Sequence, residues 1–286
     1  MLTQHATNQY PNPNEAEKAY TSLTIEYENG PDVAWYTMHP LPRPCVTPAL
    51  LQEMKIWFDQ VSNPAFQKDV SYIVFASSVP GIFNVGGDLN LTATLIRNRD
   101  RDGLMQYAND CIDVMYQHYN HLDRDITTIT MIEGDAFGGG LEYALSSDVI
   151  IAERSAKMGL PEILFNLFPG VGAYSLLSRK IGNREAEKMI LDGRIYSAEE
   201  MYEIGVVDVL AEDFQGKKAV YDYINKEEKS RNGIRGLRAA KRCTNSLTYE
   251  ELVAVGQLWA DSALNLRDKD LRMIERLISR QTAKAA

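Results

Sequence analysis

Short apolar segments alternate with longer amphipathic ones through most of the chain. Five short segments are rich in β-branched and aromatic residues, and each predicts a strand: residues 22–28, 33–38, 72–76, 127–132 and 149–152. The longer segments between them carry apolar residues at helical spacing. Strands that alternate with helices are typical of a mainly parallel sheet with crossover helices, so the pattern predicts an α/β fold.

The clearest helix start is at Thr47, whose hydroxyl can cap a helix that runs to about residue 62. Pro48 follows at once, and proline is favoured at the first helical position. The predicted helix carries one apolar stripe, which is formed by Leu50, Leu51, Met54, Trp57, Phe58 and Val61.

Helical spacing dominates the second half of the chain. A long helical region over residues 91–121 is interrupted by the charged run 97–103, which we expect to be exposed or mobile. From Val171 onward the chain is almost wholly helical, apart from a short strand predicted at residues 206–210. Helices are predicted to begin at Asn183, at Ser197 with a capping-box Glu200, at Thr248 and at Asp268.

These patterns divide the chain into three predicted parts. Residues 1–20 are polar and rich in Asn and Pro, which predicts an N-terminal arm. Residues 21–245 contain every predicted strand and form the core. Residues 246–286 form a C-terminal helical region that we expect to act as a lid or as an oligomerisation surface.

Composition narrows the classes of function. The 286 residues include 39 acidic and 30 basic ones, giving a formal net charge of −9, and they contain no long Lys/Arg block. That balance argues against nucleic-acid binding and against attachment to an anionic membrane. No apolar run approaches about 18 residues and no secretory signal pattern is present, so we expect no membrane span and a cytoplasmic location.

Residue types that bind metals show no site pattern. Cys45, Cys111 and Cys243 lie at wide, irregular spacings, which is typical of reduced thiols rather than of a disulfide frame or a zinc site. His118 and His121 stand at helical spacing without a third ligand nearby. We therefore expect neither a metal site nor a cofactor.

One glycine run carries the strongest chemical signal. The apolar run 129–132 ends at a turn, and glycines at positions 138–140 then open a predicted helix. The first N–H groups of a helix have no intrahelical acceptor, so they can bind an anion. Glu142 follows the glycines directly and Glu162 follows Pro161 twenty residues later. Two carboxyl groups beside backbone donors point to chemistry on a thioester carbonyl.

A second glycine motif lies in the segment 83–88, Phe-Asn-Val-Gly-Gly-Asp, shortly after the third predicted strand. A strand that ends in a glycine turn leaves backbone N–H groups unpaired. Alone, such a turn is weak evidence for function. Together the two motifs supply the two donors that an oxyanion hole needs.

Taken in order and spacing, these motifs resemble the enoyl-CoA hydratase/isomerase (crotonase) family over about residues 22–245. The resemblance also rests on Ser147-Asp148, on the Phe-Pro-Gly at 168–170 and on the segment 191–208. It implies a crotonase-like fold with repeated ββα units, a catalytic core at 21–245 and a following C-terminal helical region. It also implies a homo-oligomer, either a trimer or a hexamer.

The resemblance assigns roles to particular residues. The backbone N–H groups of Val85 and Gly139 would form the oxyanion hole, and Glu142 and Glu162 would be the catalytic acid and base. Which glutamate performs which task is left open. We expect the substrate also to contact Gly86, Gly138, Leu141, Met131 and Leu167.

Three features make the chain similar, within the family, to the diffusible signal factor synthases: the stretch 170–182, the long helix after Asp88 with the charges at 97–101, and the acidic, Asn-rich arm before the core. That similarity implies dehydration of a 3-hydroxyacyl chain on acyl carrier protein, followed by hydrolysis of the cis-2-enoyl thioester to a free cis-2-unsaturated acid for quorum sensing. The first alternative is an enoyl-CoA hydratase that acts on acyl-CoA. The second is a crotonase-fold protein with a mainly regulatory role, because the N-terminal arm and the 97–101 charges suit a protein partner.

Overall fold

The computed structural model describes residues 20–28, 30, 32–40 and 42–285, with side chains up to residue 279. Residues 1–19 of the predicted N-terminal arm therefore lie outside the described part. The strands are β1 (Leu23–Glu28), β2 (Val33–Met38), β3 (Tyr72–Ser77), β4 (Ile82–Asn84), β5 (Thr127–Ile132), β6 (Asp135–Phe137), β7 (Val149–Glu153), β8 (Lys157–Gly159), β9 (Ile195–Ser197) and β10 (Val209–Ala211).

The helices follow the same chain order. They are α1 (Pro48–Ser62), α2 (Leu89–Arg97), α3 (Arg101–Tyr119), α4 (Gly139–Ala144), α5 (Ala173–Ile181), α6 (Asn183–Asp192), α7 (Ala198–Glu203), α8 (Gly216–Glu228), α9 (Arg231–Thr244), α10 (Tyr249–Ala263) and α11 (Asp268–Ala285). Short 3₁₀ turns occupy His121–Asp123 and Pro161–Phe165.

The main sheet has six strands in the order β1-β2-β3-β5-β7-β10, and every pairing except β1 with β2 is parallel. The central strands β5 and β7 are buried along their whole length, which explains their continuous apolar sequences. All five strands predicted between residues 22 and 152 are present, with bounds that agree within one residue. The sixth, predicted at 206–210, is shorter and lies at Val209–Ala211.

A second sheet of three-residue strands, in the order β4-β6-β8-β9, was not predicted. It arises because β3, β5 and β7 are each followed by a short strand in this sheet, so the expected ββα repeats are present. Strands β4 and β6 are parallel neighbours, and a glycine turn follows each of them. The second sheet therefore places the two glycine motifs side by side.

The predicted helix caps are confirmed. Thr47 accepts from the N–H of Leu50 at the start of α1, and every member of the predicted apolar stripe is buried. Ser197 and Glu200 form a reciprocal capping box at α7. Thr248 caps α10 by accepting from the Glu251 N–H.

The charged run 97–103 is exposed, as expected, but it is anchored to the C-terminal helices. Helix α2 ends at Arg97 and α3 begins at Arg101 after the capping residue Asp100. Arg97 forms an ion pair with Glu275 of α11, and Arg101 binds Asp261 of α10 at 2.7 Å. The prediction of an exposed or mobile segment is confirmed in its first alternative, and these pairs join α2 and α3 to the C-terminal pair.

In the ranges that the structure covers, every helix is too short or too polar to cross a bilayer.

Candidate active site

A cavity of about 90 Å³ brings the two predicted glutamates together. Glu142 of α4 and Glu162 of the 3₁₀ turn Pro161–Phe165 both line it, and so do Gly87 and Gly139 from the two glycine turns. Much of the remaining wall is apolar and includes Leu51, Leu89, Met115, Phe165, Leu167, Trp259 and Ile274. The cavity thus combines two carboxyl groups and backbone donors with a surface suited to an aliphatic chain.

The start of α5 holds the carboxylate of Glu142. Its Oε1 accepts from the N–H groups of Val171, Gly172 and Ala173 at 2.9, 3.0 and 3.0 Å. Gly172 permits this arrangement because its φ is +148°, and a Cβ there would lie 2.7 Å from the Cε of Met115. The first N–H groups of a helix favour negative charge, so this cradle stabilises ionised Glu142.

The environment of Glu162 is different. Its Oε2 is inaccessible to solvent and has no hydrogen-bond partner in the described part of the chain. Burial, together with the charge of nearby Glu142, raises the pKa of Glu162 to about 8. Burial also raises the pKa of Glu142, but its three backbone donors oppose that rise. The three backbone donors therefore favour ionised Glu142, whereas Glu162, which lacks such donors on Oε2, favours its protonated form.

Glycine at position 138 lets Glu162 approach α4. A Cβ on Gly138 would lie 2.5 Å from the Oε1 of Glu162, and Gly138 has a positive φ of 50°. Gly138 therefore acts by leaving room for the carboxyl group, whereas the sequence interpretation made it a substrate contact.

The structure corrects the first predicted oxyanion donor. The Val85 N–H donates to the carbonyl of Pro44 at 2.9 Å, so it is already used. Gly87, two residues later, lines the cavity instead of Val85. Among the described residues, no acceptor is found for the N–H of Gly87 or of Gly139. A Cβ on Gly139 would lie 3.3 Å from the Gly87 nitrogen, which shows how closely the two turns approach.

Hydrogen bonds fix the directions of these two N–H groups. The Val46 N–H donates to the Gly86 carbonyl at 2.8 Å, and the Glu142 N–H donates to the Gly138 carbonyl at 2.9 Å. The C=O and N–H of a trans peptide point in opposite directions. The Gly87 N–H therefore points away from Val46, and the Gly139 N–H points away from the Glu142 N–H.

Tyr107 of α3 joins the two segments around Gly87. Its hydroxyl donates to the Val46 carbonyl at 2.6 Å and accepts from the Asp88 N–H at 2.8 Å. Asp88 in turn caps α2 and pairs with Arg43 at 3.0 Å. Sequence reasoning missed Tyr107, because its position in a helical pattern carries no sign of these contacts.

The predicted substrate contacts are only partly brought together. Leu167 lines the cavity, whereas Leu141 is wholly buried in the main core. Met131 packs in the cluster with β10 and α8 residues, and its sulfur would lie 3.1 Å from a Cβ on Gly216. Gly86 does not line the cavity, and a Cβ there would lie 3.1 Å from the Phe137 carbonyl. Met131, Leu141 and Gly86 therefore pack outside this cavity, and their roles as substrate contacts stay predictions.

His118 and His121 do not converge. His118 is fully buried and its Nδ1 lies 2.8 Å from Ser146 Oγ, and burial lowers the pKa of its imidazole to about 3. His121 lies beside Asp148 at 3.1 Å. In the part of the chain that the structure describes, no cluster of three His, Cys, Asp or Glu residues could hold a metal ion.

The chain is similar to known proteins in both sequence and fold. The family model described as enoyl-CoA hydratase/isomerase matches residues 33–258. Mitochondrial methylglutaconyl-CoA hydratase of Mus musculus is 33% identical over 154 residues, which cover 54% of this chain and 47% of that protein. A probable mitochondrial enoyl-CoA hydratase 2 of Arabidopsis thaliana is 33% identical over 170 residues, covering 59% of this chain and 54% of that protein.

The chain spans about half the length of these two curated relatives. Among solved structures, human mitochondrial delta3-delta2-enoyl-CoA isomerase is similar with a TM-score of 0.76 and 18% identity. That match covers 93% of this chain and all of the human one, 100%. At this level of identity the structural match shows a shared fold.

Proposed function

The chain belongs to the enoyl-CoA hydratase/isomerase family, and on that premise we propose that it reversibly adds water to a 2-enoyl thioester. The observation that carries the proposal is the pairing of Glu142 and Glu162 in one largely apolar cavity. Their different hydrogen-bond environments favour one carboxylate and one carboxylic acid, which is the combination that hydration needs.

In the proposed reaction the thioester oxygen lies between the N–H groups of Gly87 and Gly139. When water attacks C3, the C2=C3 electrons move towards the carbonyl and negative charge develops on that oxygen. A preorganised donor at such a position contributes about 3 kcal/mol to transition-state stabilisation. The helix that begins at Gly139 adds the favourable end of its dipole.

Proton transfer follows from the inferred ionisation states. Ionised Glu142 accepts a proton from the attacking water as the C3–O bond forms. Protonated Glu162 gives its proton to C2, which restores the thioester carbonyl. Dehydration is the reverse: Glu162 removes the C2 proton and Glu142 returns a proton to the departing hydroxyl. Hydration leaves Glu142 protonated and Glu162 ionised, which is the state from which dehydration starts. Before the next hydration Glu142 loses its proton to water and Glu162 takes one up.

The cavity wall supports an aliphatic acyl chain as substrate. Phe165 and Leu167 follow Glu162, while Trp259 and Ile274 come from the two C-terminal helices. We propose that residues 246–286 act as a lid over the acyl chain. Coenzyme A is the first carrier to test, because the names of both curated relatives contain it.

A diffusible signal factor synthase is the second candidate function. The observation that favours it is that Arg97 and Arg101 form ion pairs with α11 and α10. Both arginines belong to the 97–101 segment, which carries part of the sequence similarity to the synthases. In this candidate the same cavity dehydrates a 3-hydroxyacyl chain on acyl carrier protein. Water then attacks the thioester carbonyl, the C–S bond breaks, and a cis-2-enoic acid and a carrier thiol are released.

One experiment separates the candidates. Three substrates are supplied separately: trans-2-enoyl-CoA, 3-hydroxyacyl-CoA and 3-hydroxyacyl-acyl carrier protein. Mass spectrometry with double-bond analysis identifies the products. Reversible hydration of the CoA substrate without free acid supports the hydratase. Release of cis-2-enoic acid from the carrier-protein substrate supports the synthase. If no thioester is hydrated, dehydrated or hydrolysed, both proposals are wrong.

A further inference from the structure

A second cavity, of about 100 Å³, lies between α5, α9 and the turn that follows α4. It shares no lining residue with the cavity that contains Glu142 and Glu162. Five basic side chains line it, and Asp148 is its one acidic lining residue. The basic residues are Arg179, Lys180, Arg238, Lys241 and Arg242. This concentration of positive charge is unexpected in a chain whose net charge is −9.

Three of the five cations are neutralised by carboxylates. Arg179 binds Glu251 at 2.7 Å, Lys180 binds Asp208 at 2.8 Å, and Arg238 binds Glu227 at 2.6 Å. These pairs hold the guanidinium and ammonium groups at the cavity wall. They leave the other two cations, Lys241 and Arg242, to determine what the cavity attracts.

Lys241 and Arg242 have no carboxylate partner in the described ranges. Arg242 contacts the imidazole of His121 at 3.1 Å, and Nε2 of that imidazole also faces Asp148. Burial opposes ionisation of Asp148, but His121, Arg238 and the Thr128 N–H lower the pKa of its carboxyl group to about 2. The lining carboxylate therefore stays ionised and engaged, while two cations keep unused hydrogen-bond donors.

Helix dipoles explain part of this arrangement. Arg179 and Lys180 lie in the last turn of α5, and Lys241 and Arg242 lie in the last turn of α9, where cations are favoured. The dipoles do not explain why two helix ends and Arg238 converge on a single cavity. Convergent cations on separate elements are the arrangement that holds an anion with several oxygens.

We propose that this second cavity binds a phosphate group, with Lys241 and Arg242 as its principal ligands. Lys241 offers an ammonium group and Arg242 a guanidinium, and a dianion with several acceptor oxygens can use both, whereas acetate offers only two oxygens and one charge. Asn245 also lies in the cavity wall and offers a side-chain amide donor. The phosphate is either free in solution or carried by a nucleotide.

Isothermal titration calorimetry on the full chain tests this proposal at fixed ionic strength. The probes are inorganic phosphate, adenosine 3′,5′-bisphosphate and, as a carboxylate control, acetate. The variants are Lys241→Gln and Arg242→Gln. Lys226→Gln is the matched control, because Lys226 is an exposed lysine in the last turn of α8 and lies outside the cavity.

We expect saturable binding of at least one phosphate probe and no binding of acetate. Removing either cation should weaken binding about tenfold or more, and Lys226→Gln should leave it unchanged. Binding of the bisphosphate alone, lost in Lys241→Gln, supports the site and assigns a nucleotide source. Absence of phosphate binding, or affinity that neither variant changes, overturns the proposal. The readout does not use catalysis, so it stands apart from the proposed hydratase activity.

Discussion

The indole of Trp259 lies directly against the backbone of Gly170. A Cβ at position 170 would lie 2.1 Å from the Cγ of Trp259 and 2.5 Å from its Cβ. Both residues line the cavity, and Gly170 immediately precedes the three N–H groups that hold Glu142. Helix α10, part of the proposed lid, therefore rests on the segment that positions a proposed catalytic carboxylate.

Gly170→Ala should disturb stability and activity together. The added methyl group cannot fit beside Trp259, so α10 or the 170–173 segment must move. We expect the free energy of unfolding to fall by about 1–3 kcal/mol and the hydration kcat to fall as well. Gly233→Ala is the control, because its Cβ meets nothing within 4 Å and alanine favours a helix. Chemical denaturation and steady-state kinetics that show both variants unchanged would contradict the contact.

Glu142→Gln and Glu162→Gln test the paired carboxyl groups. Each variant keeps the side-chain shape but cannot transfer a proton, so we expect kcat to fall about 10²–10⁴-fold with a smaller change in KM. Glu203→Gln, at an exposed position outside the cavity, should retain full activity. Circular dichroism checks that the variants are folded. A folded Glu162→Gln protein with wild-type hydration would remove Glu162 from the mechanism.

The hydration rate should depend on the ionisation of Glu162. Its pKa of about 8 means that the proton needed at C2 is lost as pH rises through that value, so kcat/KM for hydration should fall above about pH 8. In Glu142→Gln the neighbouring charge is absent, so the pKa of Glu162 should move down. Carbon-13 NMR titration of labelled glutamate measures both values. A Glu162 pKa near 4.5 in the wild type would contradict the inferred protonation.

Linkage gives a separate stability expectation for the same group. The pKa of Glu162 is raised from 4.5 in the unfolded chain to about 8 in the folded one, so the folded state binds more protons between these values. The stabilising contribution is full below about pH 4.5 and is lost as pH rises through 8. Glu162→Gln should remove this decline. Urea denaturation between pH 4.5 and 8 measures the free energy of unfolding of both proteins. If it changes with pH equally in the wild type and in Glu162→Gln, the expectation is wrong.

Arg238 is expected to be important for stability through Glu227. The Glu227 side chain is only 1% exposed, and Arg238 donates to both of its carboxylate oxygens. Arg238→Met leaves that charge buried without a cation and should lower the free energy of unfolding by about 3–5 kcal/mol. Arg231→Met breaks an exposed pair with Glu228 and should cost only about 0–1 kcal/mol. Equal losses in urea denaturation would argue against a special role for the buried pair.

The sequence predicted the main sheet because its long strands carry several consecutive β-forming residues. It could not predict the second sheet, since three residues such as Ile82–Asn84 are too few to show a period. Glu142 and Glu162 were recognisable from the glycine run and the family resemblance. The different protonation of the two glutamates could not be predicted, because the N–H donors to Glu142 come from residues 171–173, about thirty positions away.

The error at Val85 has a similar cause. The glycine turn was recognised from the sequence. Which of its N–H groups faces the cavity, however, depends on the hydrogen bonds that the other backbone groups of the turn form. Pro44 accepts from Val85 and Gly86 accepts from Val46, so the free donor is Gly87. These partners lie some forty residues earlier and leave no local signal. Spacing alone therefore located the turn and missed its direction.

Tyr107→Phe tests whether the orientation of Gly87 matters for the reaction. The variant keeps the ring but loses the hydroxyl that joins Val46 to Asp88, so the Gly87 N–H is held less firmly. We expect kcat to fall about tenfold or more, towards the 10²–10³-fold loss seen when an oxyanion donor is removed, with little change in KM.

The infrared stretch of a ¹³C-labelled thioester carbonyl provides the readout for this last variant. In the wild type, donors to the oxygen should lower that frequency, and in Tyr107→Phe the shift should be smaller. Tyr36→Phe is the control, because it also removes a buried tyrosine hydroxyl, one that contacts Tyr143 rather than Val46 or Asp88. It should lose stability without changing the carbonyl frequency. An unchanged frequency and kcat in Tyr107→Phe would mean that Val46 and Pro44 alone orient the turn.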